Sequence, residues 1–483
     1  MTQQSRPTTP PEVAQSGRHT EKGTTMTALH RLFRRPRAGL AVGAALLGLV
    51  LTSCSGGTSV GGDAPTGAEG ANAGKGDVTG EIRLSFWGSG VRVEKTNGVS
   101  DLFVKANPGV KVTPNYTDFA AYFQKLNVEA SSGNLACVMQ LQGRQLNDYA
   151  SKDLLLDLQP MIDSGAIDVA NIPAEVLDTG RGTDGKLYEI PYGAAYDAVM
   201  INTTLAEEAD VGQPAKGYTW DDFVAYIKNA GPKLPNGIVP VNLGGGLPNY
   251  FIEWTRANGK DMFTDDGKAA FSAEDLAMFW TMWEDLRKAD LTTTAQNKAA
   301  EAPQTEQSNL ATGKVLLDNK PGNQLGQAQG ALEGAKPGQE LTTIQLPGGA
   351  NGASGTVLFT SGWSIPKNCT NIPTAAAYIN FWINDHEANT LFASNNGAVT
   401  NTKELEAQLA DPALDKATKH ALQLYQEIVA NKPPTVLYPA GYQANFETAF
   451  TRSYQDISLN GADIQETART FIDNLNSALE AAR

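Results

Sequence analysis

Apolar residues alternate at Ile82, Leu84 and Phe86, the period of a strand with one buried face. Gly88 and Gly90 break the run. Val99, Leu102, Phe103 and Ala106 then recur at helical spacing and stop at Asn107-Pro108-Gly109. Val110 and Val112 open a second strand, Phe119, Tyr122, Phe123 and Leu126 a second helical stripe, and Val138, Met139 and Leu141 a third strand. Strand, helix, strand, helix, strand predicts an α/β unit with a parallel sheet. Ligands of such sheets sit beyond the carboxyl ends of the strands, here residues 87–90, 116–118 and 142–144.

Farther along, Ile190-Pro191-Tyr192-Gly193 and then Ala198, Val199, Met200 and Ile201 predict an extended crossing segment over 188–202. Thr219-Trp220-Asp221-Asp222 reads as an N-cap followed by first-turn acids, and Ser272 with Asp275 flanks a similar start. Leu276, Phe279, Trp280, Trp283 and Leu286 then share one helical face, which assigns Trp280 and Trp283 to the core. Val315, Leu316 and Leu317 form a short strand ending in Asp318-Asn319, and 356–365 forms another around Gly362-Trp363. Residues 375–393 read as one long helix. The tail 417–483 is largely helical, interrupted at Lys432-Pro433-Pro434 and Tyr438-Pro439.

Upstream of this body the pattern changes. Arg31, Arg34, Arg35 and Arg37 precede an apolar or small-residue run over 38–50, and Leu51-Thr52-Ser53-Cys54 closes it. That is the layout of an export signal, and its terminal cysteine resembles the lipobox of bacterial lipoproteins. The run is shorter than the roughly 20 apolar residues of a spanning helix. Residues 1–53 are thus expected to be leader and signal, with translation starting at Met1 or Met26, and Cys54 to carry lipid at the extracellular face of the cytoplasmic membrane. Residues 54–80 are dominated by small and polar types, a flexible tether.

About 430 residues follow the expected cleavage, enough for two domains rather than one core. The formal net charge of -14 argues against nucleic acid. Only His386 and His420 remain in the mature part, with no Cys or His at zinc-ligand spacing, so neither metal nor cofactor is expected. Cys137 and Cys369 are then either one disulfide, which an oxidising exterior favours, or two buried thiols.

Several short motifs fall in one order: Trp87-Gly88 after the first strand, Gln142-Gly143-Arg144-Gln145-Leu146-Asn147-Asp148-Tyr149 leading to Leu154-Leu155-Leu156-Asp157-Leu158, and Tyr188-Glu189-Ile190-Pro191-Tyr192 with Asn202 beyond. Tyr218-Thr219-Trp220-Asp221-Asp222-Phe223, Trp363-Ser364-Ile365-Pro366-Lys367, Ala375-Ala376-Ala377-Tyr378-Ile379-Asn380-Phe381-Trp382 and Asn396-Gly397-Ala398-Val399-Thr400-Asn401 follow. With the lipobox, the set resembles the family 1 extracellular solute-binding proteins of ABC transporters, which include sugar-binding members. The family often shows Pro-Asp-Val entering the third strand, where this chain has Ala136-Cys137-Val138. The resemblance implies a type II periplasmic-binding-protein-like α/β fold of two hinged lobes around a ligand cleft. Lobe I would hold 81–192 and 352–401, lobe II 193–351 and 402–483.

It also implies a carbohydrate ligand, from mono- to oligosaccharide, handed by a monomeric, non-enzymatic receptor to permease subunits. Sugars need flat aromatics against their C–H faces and side chains with paired polar atoms for their hydroxyls. Aromatics outside the core stripes are Trp87, Tyr192, Tyr196, Trp254, Trp363, Tyr438 and Tyr442; polar candidates at strand ends are Gln142, Arg144, Asp318 and Asn319. A secreted glycosidase is the rival reading, with carboxylates drawn from Asp197, Glu253 and Asp318. A receptor for a non-sugar solute is another.

Overall fold

The structure, a computed structural model, describes residues 67–350 and 354–482. The expected export signal, the lipidation site Cys54 and residues 54–66 of the expected tether lie outside the described residues; the rest of the expected tether, 67–80, is instead packed on the body, with Ala68 and Ala73 buried and Ser164 Oγ donating to Ala73 O at 2.6 Å. Within them, β1 (Gly80–Trp87), β2 (Val110–Thr117) and β3 (Val138–Gln142) form, with α1 (Val91–Ala106) between the first two and α2 (Phe119–Ser131) between the second and third. Both β2 and β3 run parallel to β1, which lies between them. A short helix, α3 (Gly143–Ala150), leaves the end of β3 directly.

The crossing segment is β4 (Ile190–Asn202), a 13-residue strand buried along almost its whole length. Four more strands follow: β5 (Val239–Val241), β6 (Val315–Pro321), β7 (Leu341–Ile344) and β8 (Leu358–Ser364), and then the short β9 (Ala398–Val399). The main path of the sheet runs β2-β1-β3-β8-β4-β6-β5, with β7 and β9 also paired to β4. Near its start β4 pairs with β8 and β9; from Asp197 onward it pairs with β6 and β7. One strand therefore serves both halves of the sheet. Gly193 and Gly362 lie where these strands meet most closely: a Cβ on either would run into backbone oxygen of the neighbouring segment, at Asn396 and Ile190 respectively.

Two large cores flank this strand. The first gathers Ile82, Leu84, Phe86, Ile190, Tyr192, Tyr196, Ala198 and Trp363 under the helix Ile372–Asn384. The second gathers Val199, Ile201, Tyr250, Trp280, Trp283 and Leu317 with Phe446 and Phe450 from the C-terminal segment. Trp280 and Trp283 are fully buried, as their helical face requires. The anticipated helix starts are capping boxes, Thr219 with Asp222 and Ser272 with Asp275.

Three details differ from the sequence reading. The long helix over 375–393 is two, Ile372–Asn384 and His386–Phe392, because Asp385 adopts extended backbone and its carboxylate caps the second at Ala388 N. The strand starting at Val315 continues past Asp318-Asn319 to Pro321. Helix Lys416–Ala430, in the segment given to lobe II, puts Leu422, Tyr425 and Ile428 into the first core, where the Tyr196 hydroxyl donates to Ala421 O at 2.7 Å.

Cys137 and Cys369 form a disulfide with Cα atoms 4.7 Å apart across a sequence separation of 232. It staples the start of β3 to the segment just past β8, the strand β3 pairs with. Closing so long a loop restricts the unfolded chain, so Cys137→Ser with Cys369→Ser is expected to lower unfolding free energy by roughly 2–5 kcal/mol. Urea unfolding of the oxidised and double-serine proteins measures it.

Candidate functional site

A cavity of about 680 Å3 opens where β4 passes from one core to the other. Arg144 enters it from α3 of the first half. Asn249, Lys320, Gln324, Gln443, Glu447 and Arg452 enter from the second half, and Asp197 of β4 lies at its floor. Asn249 is carried by the first turn of the helix Pro248–Ala257, and Lys320 by the end of β6. Amides, hydroxyls and charged groups dominate the wall, and among the described lining residues none is aromatic.

Arg144 is the best-held of these groups. Its Nε donates to Gln142 Oε1 at 2.9 Å, its Nη1 to Glu447 Oε1 at 2.8 Å, and its guanidinium lies 5.4 Å from the centre of the Phe359 ring. Burial works against the charge, yet Glu447, Tyr442 and Tyr438 outweigh it and hold the guanidinium more firmly protonated than usual. This ion pair joins the two halves. Three neighbouring bonds from α3 reach the same segment: Gln145 Nε2 to Gln443 Oε1 at 2.8 Å, Asn147 Nδ2 to Tyr438 O at 2.7 Å, and Gly441 N to Asp148 Oδ1 at 2.6 Å.

Asp197 is only 2% exposed. Desolvation pushes its carboxyl up to about 6, against the lowering effects of the Asn249 side-chain hydrogen bond, Arg144 and Lys320; Glu447 adds to the rise. Lys320 lies 3.4 Å from buried Asp318. Burial opposes its charge too, but Asp318, Glu301 and Asp197 keep the ammonium raised above its ordinary value.

The sequence candidates divide sharply. Arg144 and Asn319 line the cavity, while Gln142 and Asp318 sit just behind it, each bonded or paired to a lining residue. The expected aromatics are elsewhere. Trp87 is 4% exposed and packs among Phe119, Tyr122 and Phe123. Tyr192 stacks on Trp363 at 5.1 Å, and its hydroxyl accepts from Gln140 Nε2 and Asn396 Nδ2. Tyr196 is buried over Ala421, Trp254 stacks beside Phe251, and Tyr442 stacks on Phe446. Flanking helices cover the strand ends, and large rings gain more from that burial than from the cleft. Asn249, Gln324, Glu447, Arg452 and Gln455 went unmarked in the sequence. Gln443, next to Tyr442, and Lys320, next to Asn319, each had a neighbour that pointed to it.

A second cavity, about 460 Å3, is lined by Lys95, His386, Asn389, Glu404 and Gln408. Its walls come from α1 and the helices after residue 385, whose buried Ala388, Leu405 and Leu422 all belong to the first core, so a ligand there would touch first-core elements alone.

With this geometry in view, the comparisons with known proteins are direct. The model of the bacterial extracellular solute-binding protein family matches residues 92–388, and the chain belongs to that family. A periplasmic solute-binding protein from Pectobacterium atrosepticum is 20% identical with a TM-score of 0.70, over 84% of this chain and 100% of that one. The GacH receptor of Streptomyces glaucescens, solved unliganded and with acarbose, is 16% identical with a TM-score of 0.68, over 84% and 100%. A periplasmic oligogalacturonide-binding protein from Yersinia enterocolitica is 20% identical with a TM-score of 0.67, over 83% and 100%. The fold is the two-lobed α/β fold of these periplasmic binding proteins. Among the described residues no helix is long and apolar enough to cross a membrane.

Two outcomes follow from the packing. Trp87→Ala removes a ring from a filled aromatic cluster and should cost about 3–5 kcal/mol of stability, read by chemical denaturation. Asp197 holds its proton more tightly folded than unfolded, so its contribution to stability should fall as pH rises from about 4 to about 6 and stay lower above. Asp197→Asn should remove that contribution, so that stability falls less over this range than in the parent, and gain on the order of 3 kcal/mol at pH 7. Urea unfolding across pH 4–7 would show both, and an unchanged slope in the variant would refute the assignment.

Proposed function

We propose that the protein is the extracellular receptor of an ABC importer, which closes two lobes on a carbohydrate and delivers it unaltered to permease subunits. The observation that carries this reading is the wall of the interlobe cavity: Arg144 from one half faces Asn249, Lys320, Gln324 and Glu447 from the other. Hydroxyls of a sugar both donate and accept, and a wall mixing amides, carboxylates and cations meets both needs. Charged donors and acceptors make such bonds roughly twice as strong as neutral ones. A ligand bonded to both halves favours the closed state through its contacts there, a hinge motion about the crossing segments.

The lobes are proposed as 81–192 with 352–401 and 193–351 with 402–483, helix Lys416–Ala430 reaching back to the first. Lipid on Cys54 would hold the receptor at the membrane through the segment 54–66, shorter than the expected tether because 67–80 packs on the body, raising its local concentration near the permease. Solved relatives named for acarbose and oligogalacturonide support a carbohydrate as the ligand class.

A ligand that binds only the folded form raises stability with its concentration. A thermal-shift screen over neutral and acidic saccharides is expected to give saturable stabilisation by at least one of them. Arg144→Ala should then weaken that ligand roughly 10- to 100-fold, the worth of a charge-assisted bond. Chromatography of the recovered saccharide should return it intact; a cleaved product would overturn the receptor reading in favour of a hydrolase.

A further inference from the structure

Residues 67–79 have the composition of a loose linker, yet they are built into the first core. Ala73 is 0% exposed and Ala68 2%. Gly74 N donates to Gly67 O at 2.8 Å and Ala73 N to Gly70 O at 3.0 Å, so the segment closes on itself as a compact turn. Ser164 fastens that turn through Ala73 O, and Thr79 is held on both sides. Thr79 N donates to Thr374 Oγ1 at 3.1 Å, and Thr79 O accepts from Thr374 Oγ1 and Asn371 Nδ2, each at 2.8 Å.

Gly74 makes the close approach possible. Its φ is +72°, and a Cβ there would stand 2.9 Å from Ala166 Cβ and 3.1 Å from Ala376 Cβ and Met161 Cγ. Ser164, Ala166, Asn371, Thr374 and Ala376, which grip the segment, all belong to the first half. The grip lies away from the interlobe cavity. β1 runs parallel to β3, whose end leads to Arg144. The segment joins β1 at its other end, and the eight residues of β1 span roughly 25 Å.

We infer that residues 67–79 are a docking strap, which ties the lipid-linked end of the chain to the first half alone, at the end of its sheet away from the cavity. This rests on the lipid reading of Cys54 above. With the strap docked, only 54–66 lies between anchor and body, and thirteen residues span at most about 45 Å. The bilayer then carries the receptor by its first half, and the second half is the one that swings when the lobes close. Docking also guards the link. Residues 54–66 hold no lysine or arginine, while Lys75 lies inside the turn, its N bonded to Asn72 O at 3.0 Å. A cut there would shed the body from the membrane, and a protease needs the local chain opened before it can make one.

Energy transfer on vesicles tests this with the full-length lipidated protein, in phosphatidylcholine–phosphatidylglycerol bilayers carrying an acceptor dye on the headgroups. The donor dye is placed by Lys105→Cys, at the base of the first half, or by Met278→Cys on the second; both side chains are exposed. Transfer from position 105 should exceed that from 278, and Gly74→Leu, which drives the strap off, should erase the difference. Trypsin should cut after Lys75 roughly tenfold faster in that variant, with saccharide affinity and melting of the body unchanged. If Gly74→Leu melts early, Ala73→Glu, which puts a charge at a buried strap position and leaves every body residue in place, should give the same result. Equal transfer from both positions in the parent, or a parent cut at Lys75 as fast as the variants, would overturn the strap. Protein that stays off the vesicles would overturn the lipid reading and with it the tie to a membrane, whatever trypsin shows of the docking.

Discussion

One strand belongs to two cores, and the rest of the molecule is arranged around that fact. Tyr196 and Ala198 of β4 pack in the first core, Val199 and Ile201 in the second, and Asp197 lies at the point of transfer. Backbone pairing on both sides commits the strand in each half, because unpaired amide and carbonyl groups at that depth would be costly. The cavity lies over the stretch where Asp197 of β4 meets Arg144 from one side and Lys320 from the other.

The electrostatics of the cavity follow from that position. Buried charges are expensive unless each has a partner, and removing one partner costs more than the pair contributes. Here Arg144 answers Glu447 and Lys320 answers Asp318. Burial makes Asp197 hold its proton more tightly, against the opposing pull of Asn249, Arg144 and Lys320. These pairs are near the surface the ligand would contact, so they can exchange part of their bonding to sugar hydroxyls without leaving a bare ion. The arrangement fits a guest with many weak donors and acceptors better than one with a single strong charge.

How far the sequence foretold this depends on the kind of signal. Ile82, Leu84 and Phe86 alternate, and all three are core residues; the spacing of Leu276, Phe279, Trp280, Trp283 and Leu286 likewise named a buried face. Crossing segment, capping residues and strand ends were legible because each has a local rule. The site was legible only in part. Arg144 and Asn319 were found because strand ends in a parallel unit point toward ligand, but the same rule also selected Trp87 and Trp363, and it cannot say whether a helix will cover a ring. Asn249, Gln324 and Arg452 reach the cavity through loop and helix placement set by distant packing, and no local pattern marks them.

The most direct test of this account is a crystal structure of the protein with its stabilising saccharide. The account predicts one intact sugar chain bonded at once to Arg144 on one side and to Asn249 or Lys320 on the other, above Asp197. Density for the sugar touching first-core elements alone, as in the cavity lined by Lys95 and His386, would contradict it.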